Sequence, residues 1–198
     1  IGEFGYVIRK GVNYIRDFAI EMQAGGTEGI PAMARSAVTA LCRQFLELNE
    51  KLITVEKEIV CVARKDKRAQ LLQTIPGIGP INASAIVATI GSGEQFKTAR
   101  DFAAWVGLTP INKSSGGKER LGRISRMGNK YLRKLLVIAM TSRVSAAISR
   151  PDRVDPWTAS ILAKKPVRLA TVAMANKTAR IIWAVLSRGE PFRHAAAA

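Results

Sequence analysis

The chain has 198 residues, 47% of them apolar and 23% charged, a composition that can bury a sizeable core and argues against extended disorder. Lys and Arg outnumber Asp and Glu by 31 to 15, a net charge of +16 with a pI near 10.5, so the surface carries a strong positive field and the expected partner is a polyanion. Cys42 and Cys61 form no CxxC pair and His194 is the single histidine, which leaves too few ligands for a zinc site or a disulfide framework and argues against any mechanism built on a histidine base. His194, beside the Ala195 to Ala198 tail, reads as a solvated terminal residue. No window approaches about 18 uninterrupted apolar residues, and Glu3, Arg9, Lys10, Arg16 and Asp17 interrupt the start. Neither a membrane span nor a secretory signal is expected, and the reading is a cytoplasmic, nucleoid-associated protein in a reducing compartment.

In chain order, residues 1 to 30 read as a connecting segment. Residues 31 to 69 read as one long helix: Ala34, Val38, Leu41, Phe45, Leu48, Leu52, Val55, Ile59 and Val62 alternate four and three apart, the seam of a heptad repeat. A helix from about Pro31 to Arg64 rises roughly 50 Å, too long for a small core to cover. The seam packs along its own domain, or forms a coiled coil within the chain or with a second copy. Cys42 and Cys61 fall off the seam and read as ordinary packing residues. Charge separates the two parts: residues 1 to 70 hold 11 basic and 9 acidic side chains, residues 71 to 198 hold 20 and 6, so the polyanion surface is expected in the second.

Residues 70 to 198 read as a helical domain. It opens with Leu71, Leu72 and Ile75, then Pro76-Gly77-Ile78-Gly79-Pro80, then Ala83, Ile86 and Ile90. One helix ends in a tight Gly-x-Gly turn and another begins at once, so that backbone N–H groups at Gly77 and Gly79 can face a phosphate without an intervening side chain. The arrangement resembles the helix-hairpin-helix motif of DNA repair and recombination proteins; a simple αα-corner is the plainer reading. A short helix follows near Ala99 to Val106, then an irregular polar segment from Gly107 to about Gly128. Helices are expected over Asn129 to Ser149, Trp157 to Ala163 and Val167 to Leu186, with Trp157 and Trp183 as core anchors. No stretch alternates long enough to demand a sheet, and the fold class is all-α.

The chemistry-bearing candidate is the segment from Ile111 to Lys134. It holds Lys113, Lys118, Arg120, Arg123, Arg126, Lys130, Arg133 and Lys134 against Glu119 alone. Inside it stand Ser114-Ser115-Gly116-Gly117-Lys118 and Gly122-Arg123-Ile124-Ser125-Arg126. Serine hydroxyls among guanidinium groups can form a phosphate pocket whose cations stabilise a pentacoordinate phosphorus and ease formation of a serine alkoxide. The plainer reading is a basic glycine-rich loop that only grips phosphate.

Three blocks in order, Ile75 to Pro80, Phe102-Ala103-Ala104-Trp105-Val106-Gly107-Leu108-Thr109-Pro110 and Ser114 to Lys118, precede Gly122 to Arg133 and a closing helix with Ala175-Asn176-Lys177-Thr178-Ala179-Arg180 and Trp183. From about Leu71 to Pro191 the whole resembles the C-terminal serine transposase domain of the insertion-sequence one-ten family of DNA recombinases, to which pilin-gene invertases are related. The heptad helix is similar to the coiled coil that precedes this domain in the family. The resemblance implies Ser115 as a nucleophile that joins a DNA end as a phosphoserine, with Ser114 as the alternative. It implies phosphate contacts for Lys118, Arg123 and Arg126, and the basic segment adds Arg120, Lys130 and Arg133. It also implies DNA as substrate, a bridge RNA as guide in some members, assembly through the coiled coil, and a divalent metal held by an N-terminal four-carboxylate domain. The chain begins at Ile1 with no such constellation before the heptad helix, so it reads as the C-terminal part of a longer protein, with no metal or cofactor site of its own and no activity alone. Two alternatives of other classes stand beside this: a helix-hairpin-helix nucleic-acid-binding module without chemistry, and a structural RNA-binding scaffold.

Overall fold

The computed structural model describes residues 1–26, 29–114 and 120–193. The chain divides into two compact units, Ile1–Glu58 and Ile59–Ala198.

The first unit holds α1 (Val12–Gln23) and most of the long helix α2 (Ala32–Lys65), whose last residues belong to the second. The bounds of α2 lie within a residue of Pro31 to Arg64, but the single helix expected to continue to residue 69 stops at Lys65, because Asp66 caps the next one. Phe18, Ala19 and Met22 of α1 are buried with Ile30 and Cys42, and Tyr6, Ile8, Ala34, Val38, Phe45 and Leu46 pack around them. Burial pushes the Cys42 thiol above its ordinary pKa, as expected of a packing residue. Cys61, by contrast, is exposed and does not pack. The seam divides as well. Its first positions, Ala34, Val38 and Phe45, belong to this small core, while Leu41, Leu48, Leu52, Val55 and Val62 each keep half or more of their surface exposed.

The second unit is built around α8 (Val167–Arg188), which packs against α3 (Lys67–Gln73), α5 (Ala99–Val106), α6 (Lys130–Ser149) and α7 (Pro156–Lys164). Ala170, Met174, Ala175, Thr178, Ala179, Ile182, Val185 and Leu186 of α8 are buried. The small residues among them let neighbouring helices close in, and larger ones fill the space between. Opposite lie Leu72, Ile86 on α4 (Pro80–Ile90), Phe102, Val106, Leu132, Leu136, Met140 and Val144, each of the large side chains contributing about 1.5–3 kcal/mol on burial. By composition α8 is long and apolar enough to cross a bilayer, but half of its most apolar stretch is buried inside the protein. It is a core helix.

Local chemistry sets the helix ends. Thr98 and Asp101 make a reciprocal capping box at the start of α5, with N–H donations of 3.2 and 2.9 Å. Asp66, Asn129 and Asp155 accept backbone N–H bonds at the starts of α3, α6 and α7. Hydrogen bonding to Arg68, against a smaller opposing push from burial, holds Asp66 below the usual carboxylate range. Helix α5 stops at Gly107 in the left-handed conformation, with Gly107 N–H donating to Ala104 and Leu108 N–H to Ala103, a Schellman ending that turns Leu108 into the core.

Among the described residues the fold is all-α apart from one short element. Within the segment expected to be irregular, β1 (Pro110–Asn112) and β2 (Leu121–Ile124) pair antiparallel, Pro110 opposite Ile124 and Asn112 opposite Leu121, with an irregularity between. Trp183 anchors the core as expected, its indole N–H donating to the Phe96 carbonyl at 3.1 Å. Trp157 does not: it is 39% exposed, because α7 lies at the rim of α8, and the Lys177 ammonium sits 3.6 Å from its ring centroid.

Candidate nucleic-acid interface

The two-stranded ribbon rises from a locked base. Gly107 and Gly128 both have positive φ, +79° and +84°. A Cβ on Gly107 would overlap the Met127 carbonyl, and one on Gly128 the Trp105 carbonyl. The two backbone segments therefore touch where only glycine fits. Around this contact Asn129 N–H donates to Trp105 O, Arg126 N–H to Gly107 O and Ser125 N–H to Thr109 O. Two helices add long-range bonds. Arg133 on α6 donates to the Val106 and Met127 carbonyls at 2.8 and 3.2 Å, and Asn176 on α8 donates to the Leu108 carbonyl at 2.9 Å. Asn176 received no role from single-sequence reasoning, since nothing local marks a partner 68 positions away.

The base locks one more feature. Arg126 has φ +57° and is the one non-glycine residue with positive φ among the described residues. A side chain held there costs of order 1 kcal/mol or more, and its side chain is exposed.

At the other end, Lys113 N–H donates to Arg120 O, Arg120 N–H donates to Ser114 Oγ at 3.1 Å, and Ser114 N–H donates to Asn112 Oδ1 at 2.8 Å. Ser114 is thus the neck of the loop, its hydroxyl oxygen engaged across the ribbon. Ser115 and Lys118 lie outside the described residues, as does His194. Arg120, Arg123 and Arg126 are exposed along the ribbon, and Lys130 is exposed in the first turn of α6, where unpaired backbone N–H groups add positive partial charge. Arg133 differs, since its guanidinium is committed to backbone carbonyls. Apolar surface accompanies the cations, with Leu121 74% and Met127 73% exposed.

Gly77 and Gly79 belong to a separate element, the turn between α3 and α4. Gly77 has φ +89°, and a Cβ there would come within 2.6 Å of Arg143 Cδ and 2.8 Å of Met140 Cε. Gly79 is extended, caps α4 and has open space where its side chain would stand. The turn packs on the middle of α6, about 20 Å along the helix from Lys130.

Beneath it, Asp155 accepts from Thr158 N–H, from the Thr158 hydroxyl at 2.6 Å and from Arg143 at 3.2 Å. Burial pushes the Asp155 carboxyl up, but the Thr158 donors and the charges of Arg143 and Lys177 outweigh it and hold the carboxyl below its ordinary value. Burial pushes the Lys177 amine down, opposed by Asp155 and reinforced by Arg180 and Arg143. Among the described residues no three His, Cys, Asp or Glu side chains gather where they could hold a metal ion.

Residues 69–154, which include the turn, the ribbon and α6, match the model of the Transposase IS116/IS110/IS902 family. This chain carries a domain of that family. Outside the matched residues, similarity extends over nearly the whole length. A probable family 20 transposase of Pseudomonas aeruginosa is 37% identical over 98% of this chain and 57% of its own. The transposase for insertion sequence element IS1111A of Coxiella burnetii is 31% identical over 96% of this chain and 52% of its own. A pilin gene-inverting protein of Moraxella bovis is 29% identical over 68% and 41%. The chain spans about half the length of the curated relatives it matches.

Proposed function

We propose that this chain is the nucleic-acid-handling C-terminal part of an insertion-sequence transposase, in which the ribbon presents a serine nucleophile to a DNA phosphate. The observation that carries the reading is the locked ribbon base: two interdigitated glycines, Arg133 and Asn176 fix the strands that lead into the glycine-rich basic segment. Preorganisation of this kind is what a phosphoryl-transfer site needs. Ser114 is occupied at the neck, which favours Ser115 as the attacking residue. Its oxygen forms the bond to phosphorus, a bridging P–O bond breaks, and a DNA hydroxyl end leaves. The serine proton passes to an acceptor outside this chain. One phosphoester replaces another, so the DNA end can be rejoined. Arg120, Arg123, Arg126, Lys118 and Lys130 would neutralise the phosphate, and Gly77 and Gly79 would contact backbone in the manner of a helix-hairpin-helix.

The donor set described above does not suit a divalent metal. A metal would belong to an N-terminal carboxylate domain of the full-length protein, as would completion of the catalytic site. The exposed seam of α2 suits self-association with a second copy, a bridge RNA is a compatible guide, and the setting is the cytoplasm and nucleoid. The second reading is a binding module without chemistry. It is favoured by the involvement of Ser114 in structure and by the absence of any His, Asp or Glu from the described part of the ribbon.

A denaturing gel of the full-length protein with its DNA separates the two, since only the first requires a covalent adduct. Ser115→Ala should abolish the adduct and strand exchange while leaving DNA binding within a few-fold, because one hydroxyl contributes about 0.5–1.5 kcal/mol as a hydrogen bond. Normal recombination by Ser114→Ala/Ser115→Ala would establish the binding-module reading instead.

A further inference from the structure

The basic segment around the ribbon is not the only place where the second unit concentrates cations on a concave surface. A groove of about 270 Å³ is lined by Arg143, Arg150, Arg153 and Asp155, with Ala146 and Ala147 between the arginines. Arg143 on α6 and Arg150 at its C-cap stand seven residues apart, about 10 Å along the helix direction. The alanines leave the floor low, so a rod of backbone can lie between the guanidinium groups.

The acids nearby offset part of this charge, since Arg143 pairs with Asp155 at 3.2 Å. Asp155 already accepts three hydrogen bonds, two from Thr158 and one from Arg143. Asp152 pairs with Arg153 at 3.7 Å with both side chains about three-quarters exposed, an arrangement that contributes little and yields readily to a better anion. Arg150, at the C-terminal cap of α6, is exposed. Arg143 is also shared: its stem lies under Gly77, and it lines a smaller neighbouring cavity together with Ile75 and Pro76 of the turn. A backbone that passes over the Gly77–Gly79 turn is thereby delivered to the groove.

We infer that this groove is a second phosphate-binding surface, which takes the sugar-phosphate backbone of a nucleic acid running from the α3–α4 turn along the end of α6 to Arg153. The inference rests on the nucleic-acid reading of this chain but not on the serine chemistry. Guanidinium groups suit phosphate oxygens through two parallel N–H donations, and a backbone track of this kind adds affinity without sequence preference.

The test uses the 198-residue chain and a fluorescein-labelled duplex of about 20 base pairs and arbitrary sequence, long enough to offer several phosphates at once, with anisotropy titrations across a salt series. Removing both outer charges, Arg150→Gln with Arg153→Gln, should weaken binding about tenfold or more. It should also lower the slope of log K against log salt by about two, at roughly 0.9 for each phosphate that is no longer neutralised. Ala146→Glu, which leaves every arginine in place and puts a carboxylate on the groove floor, should weaken binding comparably. Lys164→Gln with Lys165→Gln, which removes the same charge from exposed positions outside the groove, should change affinity about twofold at most. Circular dichroism melts show whether each variant is folded. Wild-type affinity and slope in both folded groove variants would overturn the groove and leave the nucleic-acid reading standing. Absence of duplex binding by the unmodified chain would overturn both.

Discussion

Helices α2 and α8 are the two longest in the molecule and use apolar residues in opposite ways. Along α8 the apolar positions run round most of the circumference and meet four other helices, with Ala170, Ala175 and Ala179 buried among them. Along α2 they form one narrow stripe, covered near its start and largely open from Leu48 to Val62. A wide apolar surface specifies a monomer core by itself, whereas a stripe of period 3.5 specifies a partner of the same period. The difference teaches that burial within one chain and heptad spacing are separate signals, and that the second becomes legible only when the first fails to account for it.

Four substitutions sharpen that contrast, from the largest effect to the smallest. Gly128→Val should cost the second unit its ribbon base and prevent normal folding, because its side chain would occupy the Trp105 carbonyl at a backbone angle that valine avoids. Loss of the cooperative thermal transition is the readout. Ile182→Ala, in the fully buried middle of α8, should destabilise by about 2–5 kcal/mol in urea unfolding. Asp155→Ala should cost about 0.5–2 kcal/mol through the lost α7 cap. The gap should depend on pH in a stated direction. Since the folded carboxyl titrates below its ordinary value, its contribution is fully present above the unfolded pKa near 4 and disappears as pH falls through the folded value. Thermal midpoints of the two proteins should therefore converge in acid. Leu48→Ala should change the stability of the dilute chain by less than about 0.5 kcal/mol, yet weaken self-association at high concentration. Sedimentation at two concentrations reads the second effect, and a chain that stays monomeric throughout would remove the intermolecular role of the seam.

The helices were legible because their signals are local. Heptad spacing marks α2, the Asn129 cap and the Leu132, Leu136, Met140 stripe mark α6, and Pro166 and Gly189 bracket α8. Helix α1 carried the same kind of signal in Ile15, Phe18, Ala19 and Met22, although residues 1 to 30 read as a connecting segment. The ribbon was not legible. Its strands are three and four residues long, too short for alternation to register, and its stability comes from Arg133 and Asn176, whose partners lie 27 and 68 positions away. The same reason explains why Arg133, counted among the cations by type, turns out to cap α5. Trp157 misleads in the opposite sense, since aromatic size suggests burial and a cation holds it at the surface instead.

The Asn176 to Leu108 hydrogen bond also bears on the order of events during synthesis. Chains emerge from the ribosome N-terminus first, at about 5–20 residues per second. The residues that match the family, 69–154, are complete several seconds before α8 has cleared the exit tunnel. Until then the ribbon base lacks its α8 clasp, and the core formed by α3, α4, α5 and α6 lacks the helix that fills it. The ribbon base therefore reaches its final geometry only once α8 has been made. A truncation just past residue 154 should leave a soluble-looking but loosely packed helical ensemble, with amide protection lost at the ribbon base before it is lost anywhere else.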